Sequence, residues 1–430
     1  PAKYMKIINS NINIIELIKN KFFPFYNSKE LNLIFKILER NKKIKTKKVA
    51  MFVGGCVRNY LNNEKVNDID IATIFSPEEI KFFFKDSEVK VIETGIEHGT
   101  VTLIINDSKF ELTTLRKDIN SDGRHAEVNF IENWQHDSER RDFTINAIYL
   151  DKDGKIFDPQ LGVKDLKNKV VKFIGDSNVR IEEDYLRIIR FIRFSIQYKS
   201  ELDPSTLKII LLNLNGVNKL SKERVLNELF KILDLKNLNF LNHTEKLKNI
   251  FLLVFPEIKY IERLNRLNFL HKKVRLKKLL ILAILLIDDT SNVDYFCHKY
   301  KVSNVLKHEL SSISILYQAY KQDRNFLKTN LKKNIYLFGD KNIKNLIMLI
   351  FFIDKEKDFK KDYLMVLKVI DKIKPPRFPY DGRFLISKGV NEGRQLGVIL
   401  DELKKDWMIN NFSLSEEEVI KKIDKFKFKI

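Results

Sequence analysis

Val66-Asn67-Asp68-Ile69-Asp70-Ile71-Ala72-Thr73 reads as a β-strand in which charged and apolar residues alternate. Successive side chains on a strand point to opposite faces, so Asp68 and Asp70 share one face and Ile69 and Ile71 the other. Two neighbouring carboxylates repel unless a hard cation sits between them, and Mg²⁺, which takes oxygen ligands, is the natural one. A pair of such ions would activate an attacking hydroxyl and steady a phosphate leaving group. A lone D-x-D is weak, since about one is expected by chance in a chain this long. Asp151-Lys152-Asp153-Gly154 supplies a second, read as a hairpin turn.

The flanking sequence adds weight. Val49–Val53 is a short apolar strand that runs into Gly54-Gly55 and then a helix, Val57–Leu61, with Arg58 one turn in. Backbone N–H groups at such a strand-to-helix turn suit phosphate. Ser76-Pro77-Glu78-Glu79 carries an N-cap, a first-turn Pro and a Glu at the third position, a capping box. Val89–Thr94, Thr100–Ile105 and Lys109–Leu115 read as strands, the last two a hairpin across Asn106-Asp107-Ser108. In the last of these Glu111 alternates with Phe110 and Leu112, which makes it a candidate third carboxylate or simply a solvated one. His98 is read as a strand residue and not a ligand. Before this region, residues 1–45 are helical and amphipathic, with Leu31, Ile34, Phe35 and Leu38 on one stripe. Beyond about residue 165 strand signals give way to helical periodicity, broken by Pro375-Pro376 and Pro379 before a final helical stretch around Trp407. The fold class is therefore α+β: an α/β head with a mixed sheet and helices on one face, then an all-helical remainder.

Composition bounds the partners. Among 430 residues, 78 Lys+Arg against 57 Asp+Glu leave +21, a surplus that attracts polyanions, nucleic acid above all. An AT-rich coding bias would also enrich Lys, but it would not remove acids. The longest apolar run, Leu279–Ile287, is too short to span a bilayer, and no signal peptide is evident. Cys56 and Cys297 form no zinc spacing or disulfide framework, which suits a reducing, cytoplasmic setting. His136-Asp137 lacks the helical partner His of a metal-dependent phosphohydrolase.

Several segments together resemble the class II CCA-adding enzymes and bacterial poly(A) polymerases of the nucleotidyltransferase superfamily. They are Gly54-Gly55-Cys56-Val57-Arg58, Asp68 through Thr73, His98-Gly99-Thr100-Val101-Thr102, Asp122 through Ala126, Arg140-Arg141-Asp142-Phe143-Thr144-Ile145-Asn146-Ala147, Asp158-Pro159 through Leu166, Glu183-Asp184-Tyr185-Leu186-Arg187 and Glu223-Arg224 through Glu228. Gly389 through Trp407 is a less specific match. The resemblance implies Asp68 and Asp70 as the metal ligands, two Mg²⁺ ions being expected; Glu111 stays a candidate catalytic carboxylate from its strand position alone. It implies Gly55, Arg58 and Arg141 at the triphosphate, and Asp184, Arg187, Arg190 and Arg193 in the nucleotide pocket. Glu223, Arg224 and Glu228 would brace the helix that carries the pocket, and Arg116–Ala126 would move for the final A. Asn59 stands where the family usually has Asp.

The implied activity is addition of C, C and A to tRNA from CTP and ATP by a monomer. The implied organisation is an N-terminal extension (1–45), a catalytic head (46–155), a neck with the nucleotide-selecting helix (156–235), a body (236–374) and an RNA-binding tail (375–430). Asp184 and Arg187, three apart in a periodic segment, are expected on one helix face. Asp only accepts and Arg only donates, a pattern that fits the amino group and ring nitrogen shared by cytosine and adenine and mismatches uracil and guanine. Arg193 lies opposite Asp184 on a helical wheel and is expected at phosphate or the head. Arg263, Arg266, His271, Lys272, Lys273, Arg275, Lys277 and Lys278 are candidate tRNA phosphate contacts. Rival readings are a poly(A) polymerase, a CC-only or A-only enzyme, and a non-catalytic RNA-binding relative. Thr94 through Arg116 is closer to the CCA-adding pattern, and intact Asp68, Asp70, Asp184 and Arg187 argue against a dead relative.

Overall fold

The computed structural model describes residues 21–427 except 23, 43–47, 122–125, 271–275, 324, 329, 355–358 and 375. Along the chain it forms two compact units, Pro1–Ile258 and Lys259–Ile430.

The first unit is built on β1 (Ala50–Val53), β2 (Ile69–Thr73), β3 (Lys90–Gly95), β4 (Thr100–Ile105), β5 (Ser108–Thr114), β8 (Tyr149–Leu150) and β9 (Ile156–Phe157), joined in the order β3-β4-β5-β2-β1-β8-β9. Only β2 and β5 run parallel; the other neighbours are antiparallel, so the sheet is mixed. β6 (Arg116–Ser121) and β7 (Ala126–Phe130) make a separate two-stranded ribbon. Period-2 alternation then sorts the faces. Phe52, Ile71 and Leu112 fall in register on one face, and Phe52 meets Phe35 of helix α1 (Lys29–Arg40) at 5.0 Å between ring centroids. Asp70 and Glu111, also in register, lie on the other. The Asn106-Asp107 hairpin forms with Asn106 at φ 51°, and Asp151–Gly154 turns β8 into β9.

Among the unit's helices are α2 (Gly55–Leu61), α3 (Pro77–Phe84) with its Ser76/Glu79 capping box, α4 (Trp134–Glu139), α5 (Ser177–Glu183), α6 (Leu186–Tyr198) and α7 (Lys222–Leu233). Two local expectations are corrected here. Asp184 and Arg187 do not share one helix: α5 stops at Glu183 and Asp184 is extended at φ −156°, ψ 103°. Its carboxylate accepts from the Leu186 N–H at 3.1 Å, a local bond that short polar side chains offer in place of helix continuation. His98 is not on a strand. It closes a 3₁₀ turn, Ile96–His98, and Gly99 follows at φ +72°.

In the second unit the apolar run forms α8 (Lys278–Leu286), with Leu280 through Leu286 all buried, as a fully interior helix. Its C-terminal carbonyls at Ile284 and, just beyond, Ile287 accept from Arg263 Nη1 at 2.6 and 2.8 Å. Arg266 donates in the same way to the Phe351 carbonyl, near the end of α9 (Asp340–Ile353). Both arginines, candidates for RNA phosphate, have Nη1 engaged by helix-end carbonyls. His271, Lys272, Lys273 and Arg275 lie outside the described residues. The last helices pack around Leu385, Val390, Ile399, Leu403, Val419 and Ile423. No helix among the described residues is long and apolar enough to cross a membrane.

Candidate active site

A cleft of about 820 Å³ in the first unit collects the residues singled out for metal, triphosphate and nucleotide base. Gly54, Gly55, Arg58, Asp68, Asp70, Glu111, Arg141, Asp184, Arg187, Arg190 and Arg193 all line it. Glu223, Arg224 and Glu228 of α7 do not line it; Glu223 is exposed on the helix's first turn.

The carboxylates sit where β2 and β5 run side by side. Asp70 faces Glu111 across the parallel pair, and Asp68 lies one residue before β2. Burial raises the Asp70 carboxyl above its ordinary range, and the Glu111 charge raises it further, with Arg141 and Arg58 opposing. Crowded acids of this kind are relieved by a cation. No three His, Cys, Asp or Glu among the described residues already form a closed ligating cluster. An open set of one or two carboxylates is nevertheless what Mg²⁺ uses when water and substrate phosphates complete its shell. The donor set therefore fits the ion.

Gly54 links this group to the turn. Its φ of +76° is left-handed, and a Cβ there would stand 3.4 Å from Asp70 Oδ2. Behind it, burial pushes the Cys56 thiol up to about 12, so Cys56 is a packing residue and not a nucleophile.

The arginines are held by acids that the sequence reading passed over. Asp137, fully buried, accepts from Arg140 Nε (2.8 Å), Arg141 Nη2 (3.1 Å) and the Tyr149 hydroxyl (2.7 Å), while that hydroxyl accepts from Arg141 Nε at 3.1 Å. Asp142 accepts from Arg190 Nε (2.7 Å), Asn146 Nδ2 (2.6 Å) and the Phe143 N–H (2.9 Å). Burial alone would raise both carboxyls, yet their arginines hold them well below the usual range. Arg58 donates to Tyr198 Oη at 3.0 Å and to Asn146 Oδ1, and lies over the Phe194 ring. Asp142 and Asn146 stood inside a quoted segment. Asp137 offered one signal, its i,i+4 spacing from Arg141.

Asp184 and Arg187 both reach the cleft at the helix break; the Arg187 N–H donates to the Asp184 carbonyl at 3.0 Å, and their side chains turn to other partners. Arg224 Nη2 donates to Asp184 Oδ2 at 2.8 Å, so Arg224 braces Asp184 directly. Arg187 Nη1 donates to Glu183 Oε2 and the Arg180 carbonyl, both at 2.6 Å. Arg193 donates to Glu228 Oε2 at 2.7 Å, and Glu228, buried, also receives Lys231 at 2.8 Å. Burial works against the Glu228 charge, but Arg193 and Lys231 hold its carboxyl below the ordinary range. Arg180, unmarked in the sequence, donates to the Arg140 and Arg141 carbonyls at 2.5 and 2.7 Å and ties α5 to the arginine loop. Asn59 lines the cleft and donates to the Lys65 carbonyl. Asp122-Gly123-Arg124-His125, the centre of the expected moving stretch, lies outside the described residues.

Comparison with known proteins places the chain in a family. Residues 50–172 match the family described as "Poly A polymerase head domain". The chain is 33% identical over 406 residues to the mitochondrial CCA tRNA nucleotidyltransferase 1 of Homo sapiens, covering 86% of each. It is 30% identical over 380 residues to the CCA-adding enzyme of Lactobacillus helveticus, covering 83% of this chain and 88% of that one. The fold matches that of the Bacillus stearothermophilus CCA-adding enzyme in complex with CTP, at a TM-score of 0.68 and 22% identity over 92% of this chain and 96% of the other.

Proposed function

This chain belongs to the CCA tRNA nucleotidyltransferases, and on that footing we propose how its residues divide the work of adding C, C and A to a tRNA 3′ end. CTP and ATP are the donors and pyrophosphate is the leaving group. The observation that carries the assignment of roles is the meeting, in one cleft, of Asp68, Asp70 and Glu111 with Asp184 and Arg187.

Asp68 and Asp70 would hold two Mg²⁺ ions, with Glu111 beside them. Such ions lower the pKa of the attacking hydroxyl and offset charge on the leaving phosphate. Arg58 and Arg141, pre-aimed by Asn146 and by Asp137 with Tyr149, bind the triphosphate together with the Gly54-Gly55 turn. A donor held in place before the substrate arrives need not reorganise during reaction, which is where electrostatic stabilisation is largest.

Asp184 accepts from the amino group common to cytosine and adenine. Its two bonds, to Leu186 N and Arg224 Nη2, leave acceptor capacity, since a carboxylate has about four lone-pair sites. Arg187 donates to the adjacent ring nitrogen. Arg190 and Arg193 are locked to Asp142 and Glu228 and fix the pocket wall; Glu223 takes no part in lining it. Functionally the chain divides into an extension (1–45), head (46–155), neck (156–235), body (236–374) and RNA-binding tail (375–430). The positive charge of +21 serves tRNA phosphates. The enzyme works as a monomer, and its two free, buried cysteines suit a reducing compartment such as the cytoplasm. Cell fractionation tests that location, since the human relative is named as mitochondrial.

Asp70→Ala, assayed with Mg²⁺, CTP and a tRNA lacking CCA, should abolish transfer while thermal melting and tRNA affinity stay near wild type. Near-normal incorporation by that variant would overturn the metal-site assignment.

A further inference from the structure

The cleft has one wall that no role above uses: His98, Thr100 and Thr113. Sheet order fixes its place. In β4-β5-β2-β1, Asp70 on β2 has the Gly54-Gly55 turn on its β1 flank and Glu111 on its β5 flank. Thr113 is two residues beyond Glu111 on the same face of β5, Thr100 pairs with it across β4 at 3.0 Å between hydroxyls, and His98 immediately precedes Gly99 and that strand. Phosphoryl displacement is in line, with attacking and leaving oxygens on opposite sides of phosphorus. If the pyrophosphate leaves over the glycine turn, as the proposed function requires, the attacking ribose must lie on the β5–β4 flank.

His98 is held firmly there. Its carbonyl accepts from Arg116 Nη1, and Gly99 at φ +72° leaves no room for a side chain, because a Cβ would stand 2.7 Å from the Phe130 ring. The imidazole itself is not held by a bond. Nδ1 is shut off from solvent and has no hydrogen-bond partner among the described residues. A histidine kept for internal structure has its buried nitrogen satisfied, since an unpaired one costs about 1–3 kcal/mol. His98 lines the cleft, so meeting a ligand there breaks no imidazole hydrogen bond.

We propose that His98 is a primer-positioning residue whose imidazole hydrogen-bonds the 2′-hydroxyl of the terminal ribose of the tRNA. That hydroxyl is both donor and acceptor, so either imidazole tautomer serves. The bond fixes the ribose and so aims the adjacent 3′-hydroxyl.

The test is a cycle of enzyme and primer. tRNA ending in CC, and the same tRNA with a terminal 2′-deoxyribose, are each extended with ATP by wild type, His98→Ala and His98→Asn. Wild type should lose roughly tenfold in kcat/KM on the deoxy primer. His98→Ala should lose a similar factor on the ordinary primer and little more on the deoxy primer, with KM for ATP and the choice of C or A unchanged. His98→Asn, which keeps a polar atom, should fall between. Multiplicative losses from the two changes, or a wild type indifferent to the 2′-hydroxyl, would overturn the inference; the latter is readable even if His98→Ala fails to fold. Absence of incorporation by wild type on both primers would instead overturn the underlying function, and this inference with it.

Discussion

Asp137→Asn tests whether the acid beneath the arginine loop organises it. The fully buried carboxylate accepts from the Arg116 N–H at 3.3 Å, from Arg140, from Arg141 and from the Tyr149 hydroxyl. Asparagine keeps the size but removes the charge and turns an NH₂ toward donors. Two guanidiniums, one at 15% and the other at 16% side-chain exposure, then lose their counter-ion. Breaking a buried pair in this way costs about 3–5 kcal/mol. For a unit of this size each kcal/mol is worth roughly 2–4 °C, so melting should fall by about 6–20 °C. The pH dependence follows from the direction of the shift. The folded carboxyl is depressed, so its stabilisation is complete above the unfolded value of about 3.9 and is lost as pH falls below it. The difference between wild type and variant should be full at neutral pH and smaller by about 1 kcal/mol at pH 3. Calorimetry at the two pH values reads both effects. A variant that melts within about 2 °C of wild type at neutral pH would refute the claim that Asp137 carries the loop.

Gly54→Ala should slow transfer at limiting Mg²⁺ and lower stability by about 1–3 kcal/mol, because an L side chain is strained at φ +76° and relief of that strain would shift the turn that its methyl shares, in van der Waals contact, with Asp70 Oδ2. A magnesium titration and a thermal melt check this, and an unchanged melt would contradict it. Asp184→Ala should lower CTP and ATP efficiency and narrow the gap to UTP by about one to two powers of ten, as a polar contact in the pocket is lost. Single-nucleotide incorporation with UTP measures it; wild-type discrimination in the variant would mean that the base is read elsewhere.

What was legible in the sequence was what local periodicity encodes. Alternation alone put Asp70 opposite Ile71, and glycine chemistry marked the turn after β1. The Glu111 pairing was only half legible: its polar face follows from alternation, but its place beside Asp70 depends on a parallel register between segments joined by β3 and β4. The break at Asp184 carried no Pro or Gly to announce it, so helical periodicity overran it. Asp137 offered only its i,i+4 spacing from Arg141, and spacing is blind to burial. Arg263 and Arg266 read as free positive charge, yet carbonyls at helix ends occupy them. Charge counts do not distinguish an arginine that caps a helix from one that meets a phosphate.

The central claim is that this cleft builds a defined three-nucleotide end. The most direct measurement offers tRNA ending at the discriminator base, at C or at CC to the enzyme with Mg²⁺ and all four nucleoside triphosphates, and sequences the 3′ ends. The enzyme should add C, C and A in that order to the first substrate, C and A to the second and A to the third, and then stop. Homopolymeric A tails, or ends that incorporate U or G as readily as C, would contradict it.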